Sequence, residues 1–534
     1  MSFLLDVNAN WVVTRNGQEN TKVLPVRLLV TAIILFAMQL LSPAVRAQGE
    51  FPTDADCELL VEPVPGRHLP AGTVMDGGGT IHLFWKGFFS DSGQPPGKED
   101  PLSDINYRRW DGTTWSPIYN IVHTAEELQG APVVTIDEKN VIHMLWEDNG
   151  IQYSQSPAYE AHLAHTWLRN AVRFMEPLLA MPALAAAASG SLYVIAPTYQ
   201  GTLVLLKSPD GGRTWSKPSY VAEPRAAPGA PERAQYVKAS SLVVDNSGYL
   251  HVVYASYPKS GYPALGLFYI RSGDDGITWS DPFILAPARH DHARLVVLES
   301  KDLLVVWDGD AATKGRYART SRDGGLTWSD METILPPSYP GGLTGSPGVA
   351  MDSAGRVHVL MGSDDWAYYN SWDGGSWSGP RRMPICQSYW TGENQVEAKA
   401  QIEARGASPL EVGSTSLLVT EGNRLHAIWE GFALGIVHVS WRVDAPPRAM
   451  SKVHPIPSAT PTENIQETLG NEAAVIPTIS NPAATRVLAR GNLSHSGGDL
   501  RAAWSPLVVG ILPAILLIGV IIVVAGSRRR GRTH

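Results

Sequence analysis

The sequence predicts an all-β fold assembled from repeated units of four short strands. Two interleaved sequence repeats and the composition support this prediction. The 534 residues include 50 glycines, 40 prolines and 17 tryptophans, which suits many short strands joined by turns. A chain of this length has room for one large domain with appendages.

The first repeat is a turn motif that contains Asp and Gly and ends in Trp-Ser. It reads SPDGGRTWS at 208–216, SGDDGITWS at 272–280 and SRDGGLTWS at 321–329, with shorter copies at 110–116 and 372–378. Such a turn joins antiparallel strands, because the Asp side chain bonds nearby backbone N–H groups, Gly supplies a positive φ and the indole covers the turn. We therefore predict structural roles for one Asp in each turn, namely Asp111, Asp210, Asp275, Asp323 and Asp373.

The second repeat is a strand of the form hydrophobic-His-hydrophobic-hydrophobic-Trp, which follows a turn. Its central positions are 82, 143, 193, 251, 305, 358 and 426. Successive copies thus lie about 55 residues apart, and a period of this length built only of strands indicates the blades of a β-propeller. The histidines recur at one register of the strand, and we therefore interpret them as blade-packing residues and not as ligands.

Seven units are countable, and we prefer seven four-stranded blades; six blades with an irregular segment are the alternative. The seventh unit, at 416–442, has three strands, and the segment 57–62 is placed to supply its outer strand and close the ring. Cys57 would then lie beside the preceding blade, which contains Cys386. In an exported protein this pair suggests a disulfide, with two buried thiols as the alternative. Residues 157–190 depart from the pattern and predict an insertion or a decayed hairpin.

Both ends of the chain carry membrane signals. Residues 1–47 contain a short apolar run, 28–41, and read as a signal peptide that is cleaved after Ala47, or as an uncleaved anchor. At the other end, the apolar stretch 506–526 predicts a transmembrane helix, and the basic residues 527–534 predict a cytoplasmic tail. Residues 445–505 read as a disordered Pro/Ser/Thr-rich stalk. We therefore expect a propeller over 48–444 that is exported and held at the cell membrane by a single span.

The turn motif resembles the Asp-box, or BNR repeat, of sialidase-like β-propellers, and the resemblance covers about residues 57–442. It implies that the boxes lie on the outer rim, away from the ligand, so they indicate the fold and not the chemistry. It also implies a catalytic set of three arginines that clamp a substrate carboxylate, an Asp acid/base, and a Tyr nucleophile assisted by a Glu.

Part of that catalytic set has candidates in this chain. The resemblance places Arg67, nine residues before Asp76, at the position of the first clamp arginine. It suggests the further candidates Asp91 as acid/base, Arg233 and Arg294 in the clamp, and Glu397 as the assisting acid. Neither Tyr369 nor Tyr389 has motif support as the nucleophile. The set is therefore incomplete in the sequence.

The default ligand site of a propeller is the face where the loops between second and third strands open around the channel. Carboxylates and aromatic rings in these loops suit a sugar site, because they bind hydroxyl groups and stack on the ring. The candidates are Trp85, Trp146, Asp148, Asp308, Asp310, Asp364, Asp365 and Trp366. Acidic loops that are simply solvated are the alternative interpretation.

The remaining signals limit the class of function. His290 and His292 flank Asp291, but no third ligand is evident, so we predict no metal and no cofactor. A net charge of −8 gives no basic field for nucleic acid. We predict a membrane-anchored propeller that binds glycans or glycoproteins at the cell surface without a complete catalytic set. An exo-α-sialidase-type glycoside hydrolase is the first alternative, and a structural ectodomain is the second.

Overall fold

The computed structural model describes residues 55–62, 71–87, 104–124, 130–148, 150–174, 178, 182–298, 301–310, 312–339, 345–363, 366–384, 396, 400, 412–431 and 435–450. The predicted signal peptide, most of the predicted stalk, the apolar stretch 506–526 and the basic tail lie outside these ranges. Within them, no helix has the length and apolar character to cross a membrane.

Seven antiparallel sheets of four strands form the seven blades of a propeller. Blade 1 comprises β2 (Ala71–Met75), β3 (Ile81–Gly87), β4 (Asp104–Trp110) and β5 (Tyr119–His123). Blade 2 comprises β6 (Val133–Ile136), β7 (Val141–Glu147), β8 (Ile151–Pro157) and β9 (Val172–Arg173). Blade 3 comprises β10 (Ala183–Ala186), β11 (Leu192–Pro197), β12 (Leu203–Ser208) and β13 (Ser219–Ala222). Blades 4 and 5 comprise β14 (Tyr236–Val244), β15 (Leu250–Tyr257), β16 (Gly266–Ser272) and β17 (Phe283–Ala286); and β18 (His290–Val297), β19 (Leu303–Gly309), β20 (Arg316–Ser321) and β21 (Glu332–Leu335). Blades 6 and 7 comprise β22 (Gly348–Met351), β23 (Val357–Met361), β24 (Tyr368–Trp372) and β25 (Arg381–Arg382); and β26 (Val412–Thr420), β27 (Arg424–Gly431), β28 (Gly435–Arg442) and β1 (Asp56–Val61).

The first strands of the blades form the inner wall of the ring. Each contacts the first strands of its two neighbours, in the cycle β2, β6, β10, β14, β18, β22, β26 and back to β2. The turns between first and second strands, and those between third and fourth strands, lie at one end of the ring, which we call the box face. The loops between second and third strands, and the connections between blades, open at the other end, which we call the mouth face.

The ring closes through the N-terminal strand, as the sequence predicts. β1 pairs antiparallel with β28, with Glu58 opposite His438. From blade 1, the Trp115 indole N–H donates to Nδ1 of His438 at 3.2 Å. Cys57 in the closing strand is disulfide-bonded, and the sequence contains one other cysteine. Seven blades are therefore confirmed, and the six-blade alternative is wrong.

The recurring histidines pack inside the blades, which confirms their structural interpretation. In four blades the His of the second strand contacts a Tyr hydroxyl through Nδ1, at 2.7–2.8 Å, and faces an Asp carboxylate through Nε2, at 3.1–3.5 Å. These triads are His82–Tyr107–Asp76, His143–Tyr153–Asp137, His251–Tyr269–Asp245 and His358–Tyr369–Asp352. Burial holds the pKa of His82, His251 and His358 below the ordinary value.

The Asp-box turns contact the blade that precedes their own. In the box at 208–216, Asp210 Oδ1 accepts the backbone N–H of Thr214 at 2.9 Å, and Oδ2 accepts its hydroxyl at 2.7 Å. Gly212 has a φ of +89°, and a Cβ added there would lie 1.8 Å from the Tyr153 hydroxyl oxygen of the preceding blade. Only glycine fits this close approach.

One Asp-box prediction is wrong by one residue. In the box at 272–280 the capping carboxylate belongs to Asp274, which accepts the Thr278 N–H at 2.9 Å, and not to Asp275. Asp275 occupies the next position of the turn, with a φ of +65°. It accepts the Tyr193 hydroxyl at 2.6 Å and pairs with Lys207, so it joins blade 4 to blade 3. The cap must stand four residues before the box Thr, and two adjacent Asp residues obscured that register in the sequence.

The irregular region after β8 is the decayed hairpin that the sequence predicts. A 3-10 helix at Ala158–Glu160 and a short α-helix at Ala164–Arg169 replace the Asp-box turn of blade 2. Trp167 is fully buried and donates its indole N–H to the Ala161 carbonyl at 2.9 Å. It contacts Phe84 of blade 1 with ring centroids 5.7 Å apart, so it fills the same seam that a box Trp fills elsewhere.

Candidate functional site

On the mouth face, blades 4 and 5 bring together a set of acidic, basic and phenolic side chains. We call it the mouth cluster: Tyr257, Tyr262, Asp291, His292, Asp308 and Arg316. Tyr257 ends β15, and Tyr262 lies in the loop that follows it. The other four residues lie in β18, β19 and β20, near the ends of those strands that reach the mouth face. The cluster therefore lies where a propeller normally binds its ligand.

Asp291 is the centre of the mouth cluster. Its carboxylate is buried, and Oδ2 accepts a short hydrogen bond from the Tyr257 hydroxyl and a longer one, at 3.5 Å, from Tyr262. Oδ1 accepts the backbone N–H of His292 at 2.7 Å. Burial and the Asp291 charge raise the pKa of both tyrosines, so both hydroxyls stay protonated as donors at neutral pH.

His292 lies between two carboxylates because β18 bulges at this point. The residue has a φ of +50°, and the register between β18 and β19 shifts between Asp291 and Arg294. As a result Nε2 faces Asp291 Oδ2 at 3.9 Å and Nδ1 faces Asp308 Oδ2 at 3.9 Å. Burial opposes a charged imidazole, but the two carboxylates outweigh it and raise the pKa of His292. About a third of the side chain (35%) remains exposed to the channel.

Asp308 and Arg316 form a buried ion pair beneath this histidine. Arg316 Nε lies 2.7 Å from Asp308 Oδ1, and both side chains are essentially inaccessible. Asp308 is the cross-strand partner of both Asp291 and Arg316. Two carboxylates directly opposite one another repel. Arg316 offsets that repulsion, and its guanidinium also donates to the Gly362 carbonyl of blade 6 at 2.5 Å.

Two cationic side chains stand beside the mouth cluster on the inner wall. Lys238 is on β14, and its ammonium lies 4.7 Å from the centre of the Tyr257 ring. Arg294 is on β18, and its side chain is exposed to the water of the channel. The protein that surrounds the channel partly desolvates the guanidinium and lowers its pKa. Among the described residues, neither cation has a carboxylate within ion-pair distance. These two charges are therefore available to an anionic ligand.

Five of the predicted site residues lie outside the described residues: Arg67, Asp91, Asp364, Asp365 and Glu397. Of the predicted clamp arginines, the structure brings Arg294 to the channel. Arg233 is exposed in the segment before β14, and no hydrogen bond or ion pair joins it to another described residue. The structure thus brings one predicted clamp arginine, and not the pair, to the mouth cluster.

The prediction that three tryptophans belong to the ligand-binding rim is wrong. Trp85, Trp146 and Trp366 are between 0% and 5% exposed and belong to the hydrophobic cores between blades. The Trp366 indole N–H donates to the Met383 carbonyl at 2.7 Å. They lie in the second strand of their blades, or follow it closely, and pack in cores shared with an adjacent blade. The sequence pattern placed them near the mouth correctly, but burial removes them as platforms for a sugar ring.

The predicted acidic rim residues separate into different roles. Asp308 belongs to the mouth cluster. Asp310 organises the adjacent loop, because it accepts the backbone N–H groups of Ala312 and Thr313 at 2.9 and 3.0 Å and pairs with Arg289 at 2.8 Å. Asp148 lies in blade 2, away from the cluster.

The sequence singled out the segment from Arg289 to Arg294 but gave no reason to connect it with Tyr257 or Tyr262. The two tyrosines belong to the preceding blade, and only the packing of β14 and β15 against β18 brings them to Asp291. A signal was present: one tyrosine ends a second strand, and another follows it in the loop that leads to the third strand. Within the described part of the chain, no group of three or more His, Cys, Asp or Glu side chains is arranged to hold a metal ion.

No protein-family model and no curated protein sequence matches the chain. Solved structures do. A Hadza microbial sialidase is 15% identical, with a TM-score of 0.39, over 71% of this chain and 66% of its own. The sialidase of Trypanosoma rangeli is 13% identical, with a TM-score of 0.39, over 72% of this chain and 58% of its own. A polysaccharide lyase is 11% identical, with a TM-score of 0.43, over 72% of this chain and 91% of its own.

This chain therefore spans less than two thirds of the length of either sialidase. The likeness concerns architecture and carries no argument about chemistry. The sialidase-like propeller that the Asp-boxes predict is confirmed as a fold, since the chain has both the four-stranded blades and the boxes at their expected turns.

Proposed function

We propose that this propeller binds an anionic glycan at the channel mouth, over the mouth cluster. The observation that carries the proposal is the pair of cations, Lys238 and Arg294, which face the channel without a carboxylate partner in the described part of the chain. They stand beside an acidic and phenolic group that is already fully organised. A carboxylate on a sugar would supply the missing counter-charge.

The neighbouring side chains suit the rest of a sugar. The Tyr262 ring is 47% exposed and offers an aromatic face, while the hydroxyl remains near Asp291. His292 is partly exposed and, when protonated, donates from a ring nitrogen to ligand oxygens. Arg294 matches a carboxylate with two parallel N–H donors, and Lys238 contributes a point charge. The geometry therefore favours a uronate or sialate over a neutral sugar.

A titration of the full-length chain with sialyllactose, lactose, a glucuronate oligosaccharide and its carboxyl-reduced form tests this proposal. We expect binding of at least one acidic sugar and none of its neutral counterpart. The variant Lys238→Gln/Arg294→Gln should weaken that binding about a hundredfold, since each hydrogen bond to a charged group contributes about 1.5–3 kcal/mol. Arg213→Gln is the matched control, because that arginine is exposed in the Asp-box turn of blade 3, on the opposite face of the ring. Equal affinity for acidic and neutral sugars would contradict the proposal.

Glycoside hydrolysis is the second candidate, and one observation favours it. Tyr257 donates to Asp291 at the channel mouth, which is a tyrosine–carboxylate pair of the kind that the sialidase resemblance implies. Against a full clamp, Arg289 is held by Asp310 and Arg316 by Asp308, so of these three arginines only Arg294 lacks a carboxylate partner among the described residues. This arrangement supports binding more strongly than hydrolysis.

Turnover of a fluorogenic sialoside distinguishes the two candidates. Hydrolysis that is lost in Tyr257→Phe but retained in Tyr249→Phe, a half-exposed tyrosine of the box face, would support the enzyme. Binding without turnover would support the glycan-binding propeller. Neither binding nor turnover, in folded protein, would favour a structural ectodomain.

We further propose that the propeller is exported and anchored by the apolar stretch 506–526. The support is the sequence alone: an uncharged apolar run of helix-spanning length followed by the arginine-rich tail. Carbonate extraction of membranes, with and without residues 506–534, tests the anchor. Release of the full-length chain by carbonate would contradict it.

A further inference from the structure

On the box face, the seam between blades 6 and 7 differs from the seams between blades 2 and 3 and between blades 4 and 5. Between blades 2 and 3, the box residue Trp215 packs on Tyr153 with ring centroids 5.0 Å apart. Between blades 4 and 5, the box residue Trp328 packs on Tyr269 in the same way, at 4.9 Å. In each case a glycine of the box closes over the tyrosine hydroxyl. Blade 7 has no Asp-box, because its outer strand is supplied by β1 from the other end of the chain.

The missing box leaves a cavity beside the corresponding tyrosine of blade 6. Tyr369 is that residue, and a pocket of about 200 Å³ opens next to it. Trp441 of β28 takes the place of the box Trp, with its ring perpendicular to Tyr369 at 5.3 Å. Among the described residues, no turn covers the remaining space in the way that the box turns do at the other two seams. We call this cavity the seam pocket.

Three arginines from three different elements line the seam pocket. Arg356 lies in the turn between β22 and β23, Arg381 in β25, and Arg442 at the end of β28. Arg442 is oriented by Glu421, at 2.5 Å, and by Asn423, at 2.9 Å. Arg356 and Arg381 form no ion pair with a carboxylate of the described residues. Asp444 is the one carboxylate of the lining, so guanidinium groups outnumber it three to one.

Two of these arginines also influence the tyrosine that lines the pocket. Burial raises the pKa of Tyr369 to about 12, and the nearby Arg381 and Arg356 oppose that rise. Both arginines also line the same pocket as this tyrosine. Arg356 and Arg381 bring two guanidinium groups without an ion-pair partner among the described residues to one pocket, and guanidinium groups are a usual means by which proteins bind oxyanions.

We propose that the seam pocket binds a tetrahedral oxyanion, sulfate or phosphate, either free or as a substituent of a sugar. Three guanidinium groups from three different elements match an anion with three or more accepting oxygens better than a carboxylate with two. The volume suits such a group with little else attached. This site is on the box face, opposite the mouth cluster, so it is independent of the proposed glycan site and would be the second anionic subsite of the protein.

Calorimetric titration of the full-length chain with sodium sulfate tests the proposal, and it is done in the Lys238→Gln/Arg294→Gln background so that the mouth cluster does not contribute. We expect one site per chain. Adding Arg356→Gln/Arg381→Gln should weaken the affinity at least about tenfold, from the loss of two charged donors. Arg213→Gln, an exposed arginine of the blade 3 box without a partner among the described residues, should change it less than about twofold.

The results of this titration distinguish a failure of the seam pocket from a failure of the mouth cluster. No sulfate binding in the background variant, or the same affinity after Arg356→Gln/Arg381→Gln, would overturn the seam pocket without affecting the mouth cluster. If the double glutamine variant does not fold by its thermal melt, Arg356→Lys/Arg381→Lys replaces it, and we expect a smaller loss because charge remains but the fork geometry does not. Comparison of inorganic sulfate with a sugar sulfate identifies the source: tighter binding of the sugar sulfate indicates a substituted glycan, and equal binding indicates the free ion.

Discussion

The two faces of the propeller use the same residue types in opposite ways. On the box face, His, Tyr and Asp form four buried triads with the same geometry in four blades. On the mouth face, Tyr257, Asp291 and His292 meet at one seam, and part of the cluster remains accessible. Burial holds the box-face histidines neutral, whereas two carboxylates favour a charged His292.

This difference separates a structural network from a candidate site. A network that recurs in several blades and is closed to solvent stabilises the blade. A network that occurs at one seam, carries a bulge and a residue in the left-handed region, and leaves cations without partners is organised for a ligand. Residue type alone does not distinguish the two, and position in the ring does.

The largest expected effect is on the buried ion pair of the mouth cluster. Asp308→Asn leaves Arg316 charged and buried, and it should reduce the free energy of unfolding by about 3–5 kcal/mol. The matched control is Asp302→Asn, which removes the partner of Arg322 in a pair at the surface of blade 5 and should cost about 0–1 kcal/mol. Urea denaturation followed by tryptophan fluorescence measures both. Equal effects would show that the mouth-face pair contributes no more than an ordinary surface pair.

The close approach of the Asp-box gives the next effect. Gly212→Ala places a methyl group on the Tyr153 hydroxyl in a residue at positive φ, and it should destabilise the fold by about 3 kcal/mol. Gly211→Ala is the control, since its Cβ has open space and only the strain of the positive φ remains, about 1–2 kcal/mol. Equal melting temperatures for the two variants would show that the box does not pack closely on Tyr153 of the preceding blade.

The two kinds of histidine should respond to pH in opposite directions. The pKa of His358 is lowered in the folded protein, so its contribution to stability is present above its unfolded value, about 6.5, and is lost as the pH falls. His358→Gln should cost about 1–2 kcal/mol at neutral pH, from its bonds to Tyr369 and Asp352. It should also flatten the loss of stability below pH about 6.5. His165→Gln, at an exposed position, is the control and should change the free energy of unfolding at neutral pH by less than about 0.5 kcal/mol.

The opposite behaviour is expected at His292. Its pKa is raised in the folded protein, so its contribution is present below about 6.5 and is lost as the pH rises through the folded value. His292→Gln should therefore remove a part of the stability that the wild type shows in mild acid and loses as the pH rises through the folded pKa. Acidic-sugar binding should weaken over the same rise in pH in the wild type only. A pH-independent affinity in the wild type would exclude a charged His292 from the site.

The fold was predictable because its signals are local and repeated. A turn that needs Asp, Gly and Trp at fixed positions, and a strand with His at one register, each appear several times, so the count of blades follows from the sequence. Even the ring closure followed, because blade 7 visibly lacks an outer strand. The exception, Asp275, shows the limit of local reading: two adjacent carboxylates satisfy the same pattern, and hydrogen bonds across the seam decide between them.

The candidate site was predictable only in part, because it is assembled from two blades and occurs at one seam. Asp308, Arg294 and the segment around Asp291 were identifiable as residues of the mouth face. Their partners Tyr257 and Tyr262 come from a different repeat, and no spacing connects them. The prediction of the rim tryptophans was wrong because packing between blades cannot be read from one repeat. These residues are near the mouth end of the strand, but contacts with an adjacent blade bury them.

The measurement that tests the central claim most directly is the affinity of the full-length chain for an acidic oligosaccharide and for its carboxyl-reduced form. It compares the wild type with Lys238→Gln/Arg294→Gln. The account predicts binding of the acidic form alone, and its loss in the variant. Binding that ignores the carboxylate, or that survives the loss of both cations, would contradict a ligand site at the mouth cluster.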